Sequence, residues 1–418
     1  MMRGEGEMTS IERLTAAWNG TGYDHVPLTT WCFGVKPRES LTWKKDGEWI
    51  ERWYSLRMEY LHTWHQSWEL EDEFRRVLTW QSLGVDDTID VSVPWGVHPE
   101  VTWKDSIIPQ GKVDRYPVLV REYQTPEGAL RHAIKKTGED PGEGWVVQPD
   151  HVPLIEDYNI PRGVEHAVSS VDDVPKIKFL YTSPDAAGKA WFGERMAKVQ
   201  EFSRKNGVAV QAWPAFGMDG VVWLTGVERA VYMAMDDPSS FDQLMGIIAE
   251  ADYGRVELAC AHPAVDIITQ RDWYGGTDFW SPKLFDRFQY PHIWALADLI
   301  HRHGKKYGFV MPQGVEILGK RLLQAGVDVL YFVDPVQDTI TVKKAFELFG
   351  GSMTLVGGTN SLSLRSKDEK LIGGQVKEAI DTLGSTGRFI MHPVDALHPD
   401  TPWEGIEILI EKWKESYS

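Results

Sequence analysis

The sequence predicts a (β/α)8 TIM barrel with an insertion after its second strand. Three observations predict it. From residue 208 onward, six apolar strand-like runs each lead into a run of helical period, which implies parallel strands joined by helical crossovers. Upstream, "VPLTTWCF" and "DDTIDVSV" supply two more strands, and eight parallel strands point to a closed barrel rather than an open sheet. No G-x-G-x-x-G follows the first strand, which argues against a doubly wound dinucleotide fold.

The elements follow in chain order. "VAVQAWPAF" reads as a buried strand, and "FDQLMGIIAEADYGRVELACAH" has helical period. "AVDIITQRDW" is the fourth strand. The helix "SPKLFDRFQYPHIWALADLIHRHG" starts at Ser281 and Pro282 and stops at Gly304. "KYGFVMPQG" leads into a helix from Val315 to Ala325. "VDVLYFV" leads into "TVKKAFELFGG", and "SMTLVGGT" into a helix from about Lys367 to Leu383. "RFIMHPV" is the last strand and "PWEGIEILIEKWKES" the closing helix.

Residues 97 to 175 break the alternation. "VTWKDSII" and "YPVLVREY" read as antiparallel strands with "IPQGKVD" as their turn, and the Pro- and Gly-rich "GEDPGEGWVVQPDHVP" reads as loop. The expectation is a single barrel domain over residues 1 to 418, with 97 to 175 folded over its mouth.

Composition narrows the function. The chain has 418 residues, 42% of them hydrophobic, and a net charge of -17. That charge repels phosphate and argues against nucleic-acid binding. Two cysteines, Cys32 and Cys260, exclude a disulfide framework and fit a reducing cytosol. The start "MMRGEGEMTS" lacks the regions of a signal peptide, and no apolar run is long enough to span a bilayer. A soluble cytoplasmic protein with no membrane partner is expected. Of 19 tryptophans, eight fall between Trp43 and Trp103. They serve either core packing or an aromatic-walled pocket for a flat or cationic ligand.

In a (β/α)8 barrel the chemistry sits at the C-terminal strand ends. The candidates there are Cys32, Phe33 and Arg38 after strand one, and Trp95 and His98 after strand two. Strand three offers Trp213 and Phe216, and strand four Gln270, Arg271, Asp272, Trp273 and Tyr274. Strand five offers Met311 and Gln313, strand six Asp334, strand seven Asn360, and strand eight His392 and Asp395. Structural alternatives stand beside them. Asp272 and Asp334 can cap helices, Arg271 and Asp272 can pair, His392 can be a bonded core histidine, and Cys32 a buried apolar group. There is no H-E-x-x-H, P-loop or G-x-S-x-G.

The chain resembles the uroporphyrinogen decarboxylase superfamily, which includes corrinoid-dependent methyltransferases. The resemblance rests on "IERLTAAWNGTGYDHVPL", "SPKLFDRFQYPHI", "LLQAGVDVLYFVDP", "LVGGTNSLSL" and "HPDTPWEGIEILIEKWKE". In the decarboxylase, two arginines near "TTWCFGVKPRES" clamp the substrate carboxylates. Here the first position is Gly34 and only Arg38 matches the second. A lost bidentate clamp argues against a poly-anionic substrate. The thiol-methylating relatives hold zinc with a His-x-Cys on strand five and a Cys on strand eight. Those positions fall on Met311, Gln313 and Asp395, a poor zinc set.

The resemblance therefore implies the other direction of transfer, O-demethylation. A methyl group moves from a small molecule, a methoxylated aromatic in preference to a methylated amine, to cobalamin on a corrinoid partner protein. Asp395, His392 and Asp272 are the expected acids. Arg38, His98, Trp95, Trp213, Phe216, Arg271, Trp273, Tyr274, Met311, Gln313 and Asp334 are the expected substrate contacts, and a zinc or other divalent metal is left open. A decarboxylase or lyase on an aromatic acid, and a non-catalytic barrel binding a ligand or corrinoid, are the alternatives.

Overall fold

The computed structural model describes residues 8–31, 34–35, 40–45, 48–53, 58–59, 70–135, 163–397 and 401–417. Near the N-terminus lie four short strands, β1 (Gly34–Val35), β2 (Ser40–Lys45), β3 (Glu48–Trp53) and β4 (Met58–Glu59). They pair antiparallel, β1 with β4 and β2 with β3.

Runs of β-branched and aromatic residues then form the barrel. Its strands are β5 (Ile89–Ser92), β10 (Val210–Ala215), β11 (Ile267–Gln270), β12 (Lys306–Val310), β13 (Val329–Val333), β14 (Thr354–Asn360) and β15 (Phe389–Val394). These seven form one parallel sheet in the order β15-β14-β13-β12-β11-β10-β5. Residues 27 to 31 occupy the remaining place. Leu28 bridges Met391 in parallel, the Met391 N–H donates to Pro27 O (2.8 Å), and the Asp86 N–H donates to Leu28 O (2.7 Å). The expected first strand is thus a short bridging segment, because Pro27 has no N–H to give to a ladder. With it the sheet curls into a (β/α)8 arrangement.

The strands are buried on both faces, as parallel barrel strands must be. Ile267, Val310, Val329, Val356 and Ile390 pack inside the barrel, closed at one end by Leu14 and Trp18 of the helix Ser10–Asn19. Ile268, Phe309, Met311, Leu330, Leu355 and Met391 pack outward against the helices. Local chemistry sets the helix ends. The Leu284 N–H donates to Ser281 Oγ (3.4 Å), and Gly304 takes φ +69° two residues past Arg302. The single helix expected over 281 to 304 divides at Gln289 into Pro282–Phe288 and Tyr290–Arg302. Pro291 has no N–H for an unbroken ladder.

The insertion forms an antiparallel sheet of β6 (Thr102–Ile108), β7 (Val118–Thr125), β8 (Gly128–Lys135) and β9 (Gly163–Glu165), in that order. Val101, Tyr123 and Leu130 share a buried cluster with Phe216, Trp223 and Trp280. Those three follow β10 and β11, so this sheet packs on the side of the strand C-termini. The expected loop over 138 to 153 lies outside the described residues.

Candidate active site

Tryptophans from separate strands meet at the barrel's C-terminal end. Trp31 stacks on Trp213 of β10 (centroids 4.5 Å) and on Trp273 after β11 (5.0 Å). Phe332 of β13 lies 5.4 Å from Trp31 and 5.5 Å from the His392 ring. Trp31 and Trp213 are buried, while Trp273 is half-buried. The Trp273 indole N–H donates to Asp395 Oδ1 (3.2 Å), so the residue after β15 is tied to the residue after β11 across the barrel end. Asp395 is itself half-buried.

Asp334, after β13, takes Asn360 Nδ2 on both oxygens (2.9 Å each) and the Val336 and Gln337 N–H groups on Oδ1 (2.8 and 3.1 Å). The last two bonds cap a turn rather than the next helix, Val342–Phe349, whose cap is Thr341. Burial pushes the Asp334 carboxyl upward against those donors, and the charge of Asp395 adds to the shift. Asp334 after β13 thus lies within electrostatic reach of Asp395 after β15.

Asp272 has a different setting. Residues 268 and 270 point outward, and 272 continues that alternation. A Cβ on Gly275 would stand 2.0 Å from Asp272 Oδ2, so the carboxyl lies directly under that glycine. It is fully buried, and neither oxygen has a hydrogen-bond partner. Burial pushes it well above the usual carboxylate range, and the neighbouring Asp219 adds to that. Asp272 thus neither caps a helix nor pairs with Arg271. The carboxylate near Arg271 is Asp219, with Nε 3.8 Å from Oδ2. Asp219, on the helix Gly217–Thr225, also accepts the Tyr274 N–H (2.9 Å). Burial lifts it to about 6 against the pull of Arg271. The Arg271 guanidinium lies over the Trp223 ring at 4.4 Å and the Trp273 ring at 5.0 Å. Asp219 escaped the sequence reading because it stands on a helix after β10, not at a strand end.

His392 points into the barrel. Its Nδ1 is 3.0 Å from Thr29 Oγ1, and its Nε2 has no hydrogen-bond partner. Burial lowers it to about 3, so the ring is neutral. It lines an interior cavity of about 20 Å³ with Thr30, Asp90, Gln211 and Tyr331, room for about one water.

The remaining candidates scatter. Met311 is fully buried among the outward-facing core side chains with Val315 and Leu318. Gln313 is half-buried, and its carbonyl packs against Gly276. Trp95, Phe216 and Tyr274 join the cluster shared with the inserted sheet. His98 accepts the Glu100 N–H at 3.3 Å and lies edge-on to Phe179. Cys32, Phe33 and Arg38 lie outside the described residues.

A parallel barrel with polar and aromatic side chains converging at one strand end defines a (β/α)8 protein with its candidate site in the usual place. Residues 222–416 match the family described as uroporphyrinogen decarboxylase (URO-D). A methyltransferase from Methanosarcina mazei shares the fold, at 17% identity and a TM-score of 0.57, over 99% of this chain and 100% of that one. No curated protein matches the chain. The strand-five positions do not suit a zinc ion: the Met311 thioether is enclosed in apolar packing, and Gln313 offers only a neutral amide. Among the described residues, no helix is long and apolar enough to cross a membrane.

Proposed function

We propose that this protein is a methyltransferase that demethylates a small methylated compound, a methoxylated aromatic before a methylated amine, and passes the methyl group to a corrinoid protein. The observation that carries the proposal is the half-buried Trp273, backed by Trp31 and Trp213, with its indole N–H on Asp395. A flat ring fits against such a wall. A carboxyl beside it can serve the oxygen that leaves. The corrinoid, brought by its carrier protein, supplies a nucleophile strong enough that this chain need not make one. The chain's own task is to hold the donor and assist the leaving group. As the methyl carbon–oxygen bond breaks, its electron pair stays on oxygen, and Asp395 supplies the proton. Asp334 is held by Asn360 and two backbone N–H groups and lies within the electrostatic reach of Asp395. The stacked indoles keep water from the breaking bond.

The test is incubation with reduced cobalamin and a panel of methoxylated aromatics and methylated amines, followed by the absorbance of methylcobalamin. Methylcobalamin formed from the methoxylated aromatics is the expected result. Carbon dioxide released from an aromatic acid without any corrinoid would replace this reading with a lyase.

A further inference from the structure

Strand β6 is the outer strand of the inserted sheet. It runs seven residues with no proline and no bulge, in unbroken register with β7 from Thr102↔Gln124 to Ile108↔Val118. Every residue from Thr102 to Ile107 is exposed. Long, flat, open edges accept another strand unless something blunts them. Trp103 and Ile107 stand on one face of this edge, 53% and 60% exposed. Behind them on the same face lie their buried register partners, Tyr123 and Leu119. Between them Asp105 is held by Arg121 through two bonds of 2.7 and 2.8 Å, and the Arg121 guanidinium lies 5.4 Å from the Trp103 ring.

We propose that a second copy of this chain docks on this edge, β6 against β6, antiparallel about a twofold axis through Asp105. The two four-stranded sheets then become one continuous sheet. The sequence of the strand selects this register. Centred on Asp105, Trp103 faces Ile107 of the other copy and Lys104 faces Ser106. A shift by two residues in one direction sets Trp103 against Asp105; a shift in the other sets Ile107 against Asp105. A shift of four makes one apolar pair, Trp103 on Trp103 or Ile107 on Ile107; the central register makes two, related by the symmetry. Two apolar rows cross the interface, each running Tyr123, Trp103, then Ile107 and Leu119 of the other copy. The row between them brings the two Asp105 side chains together, each neutralised by its own Arg121.

The experiment is sedimentation of the full chain over a concentration series, with variants at the edge. The parent is expected to dimerise reversibly, and Trp103→Asp and Ile107→Lys to be folded monomers by circular dichroism. Asp105→Cys is expected to give a disulfide-linked dimer under mild oxidation, since directly opposite residues of an antiparallel pair stand within disulfide reach. A parent that stays monomeric throughout would overturn the proposal. So would a dimer indifferent to Trp103→Asp, or one that Asp105→Cys fails to cross-link. Loss of methyl transfer from Trp103→Asp in a monomeric parent would point to a partner protein's strand instead, and would also overturn it.

Discussion

Asp395 and Asp272 are both carboxyl groups next to a barrel strand, and their surroundings give them opposite prospects. Asp395 is half-buried and bonded to the half-buried Trp273. Asp395→Asn removes the acid while keeping an acceptor for the indole, so turnover is expected to fall at least about a hundredfold with little change in melting temperature. Single-turnover methyl transfer and a thermal melt on the same sample check this; an unchanged rate would remove Asp395 from the mechanism. Asp272 faces Asp219 and Tyr307 from inside the protein and holds its proton when folded. The unfolded chain releases that proton above about pH 4, so the folded state loses stability as pH rises toward the raised folded value. Asp272→Asn carries no charge at any pH. Its melting temperature is expected to gain on the parent's steadily from pH 4 to pH 8, and a gap that stays constant with pH would show that Asp272 ionises in place. Which strand-end residues face inward was the part the sequence could not supply. These strands are apolar on both faces, so the alternation that separates Met311 from Val310 leaves no trace in residue type. The residues themselves, from Trp213 to Asp395, were legible because strand ends are easily located.

The elements show what periodicity does and does not encode. Gly, Pro and Ser at the helix ends fixed the boundaries of Val315–Ala325 and Trp403–Glu415 closely. The helix Leu70–Ser82, "LEDEFRRVLTWQS", has the composition of a surface helix, yet Glu73 and Arg76 are fully buried. Arg76 bonds Glu73 (2.6 Å) and Asp87, donates to Thr88 O (2.8 Å), and lies 3.7 Å from Asp90. Glu73 in turn accepts the Asp90 N–H at 2.6 Å. One guanidinium thus ties this helix to the start of β5. Charged residues give no signal of burial until their partners are placed, so this network was not legible. Arg76→Met fills a similar volume but strands three carboxyl groups around it. The expected cost is about 3–5 kcal/mol, measured by urea unfolding, and a loss below about 1 kcal/mol would place the network in water.

At the scale of the molecule, the eight-strand barrel was legible because alternating strands and helices admit few topologies, and the insertion because it broke that alternation. Its relation to the barrel was an expectation that the packing now sharpens into a prediction. Leu130 of β8 and Tyr123 of β7 are buried with Phe216 and Trp223, the same rings that flank the Arg271 guanidinium. We propose that the inserted sheet therefore backs the wall of the site. Leu130→Ala opens a cavity at this contact and is expected to cost about 2–5 kcal/mol. If the sheet supports the wall, the loss falls on a single melting transition, and KM for the methyl donor rises because Trp223 and Arg271 lose their backing. If the sheet is a unit apart, calorimetry shows an early transition of its own, while the barrel's transition and KM stay at the parent's values. The two outcomes differ in both readouts, so one variant decides whether the insertion is part of the site or only beside it.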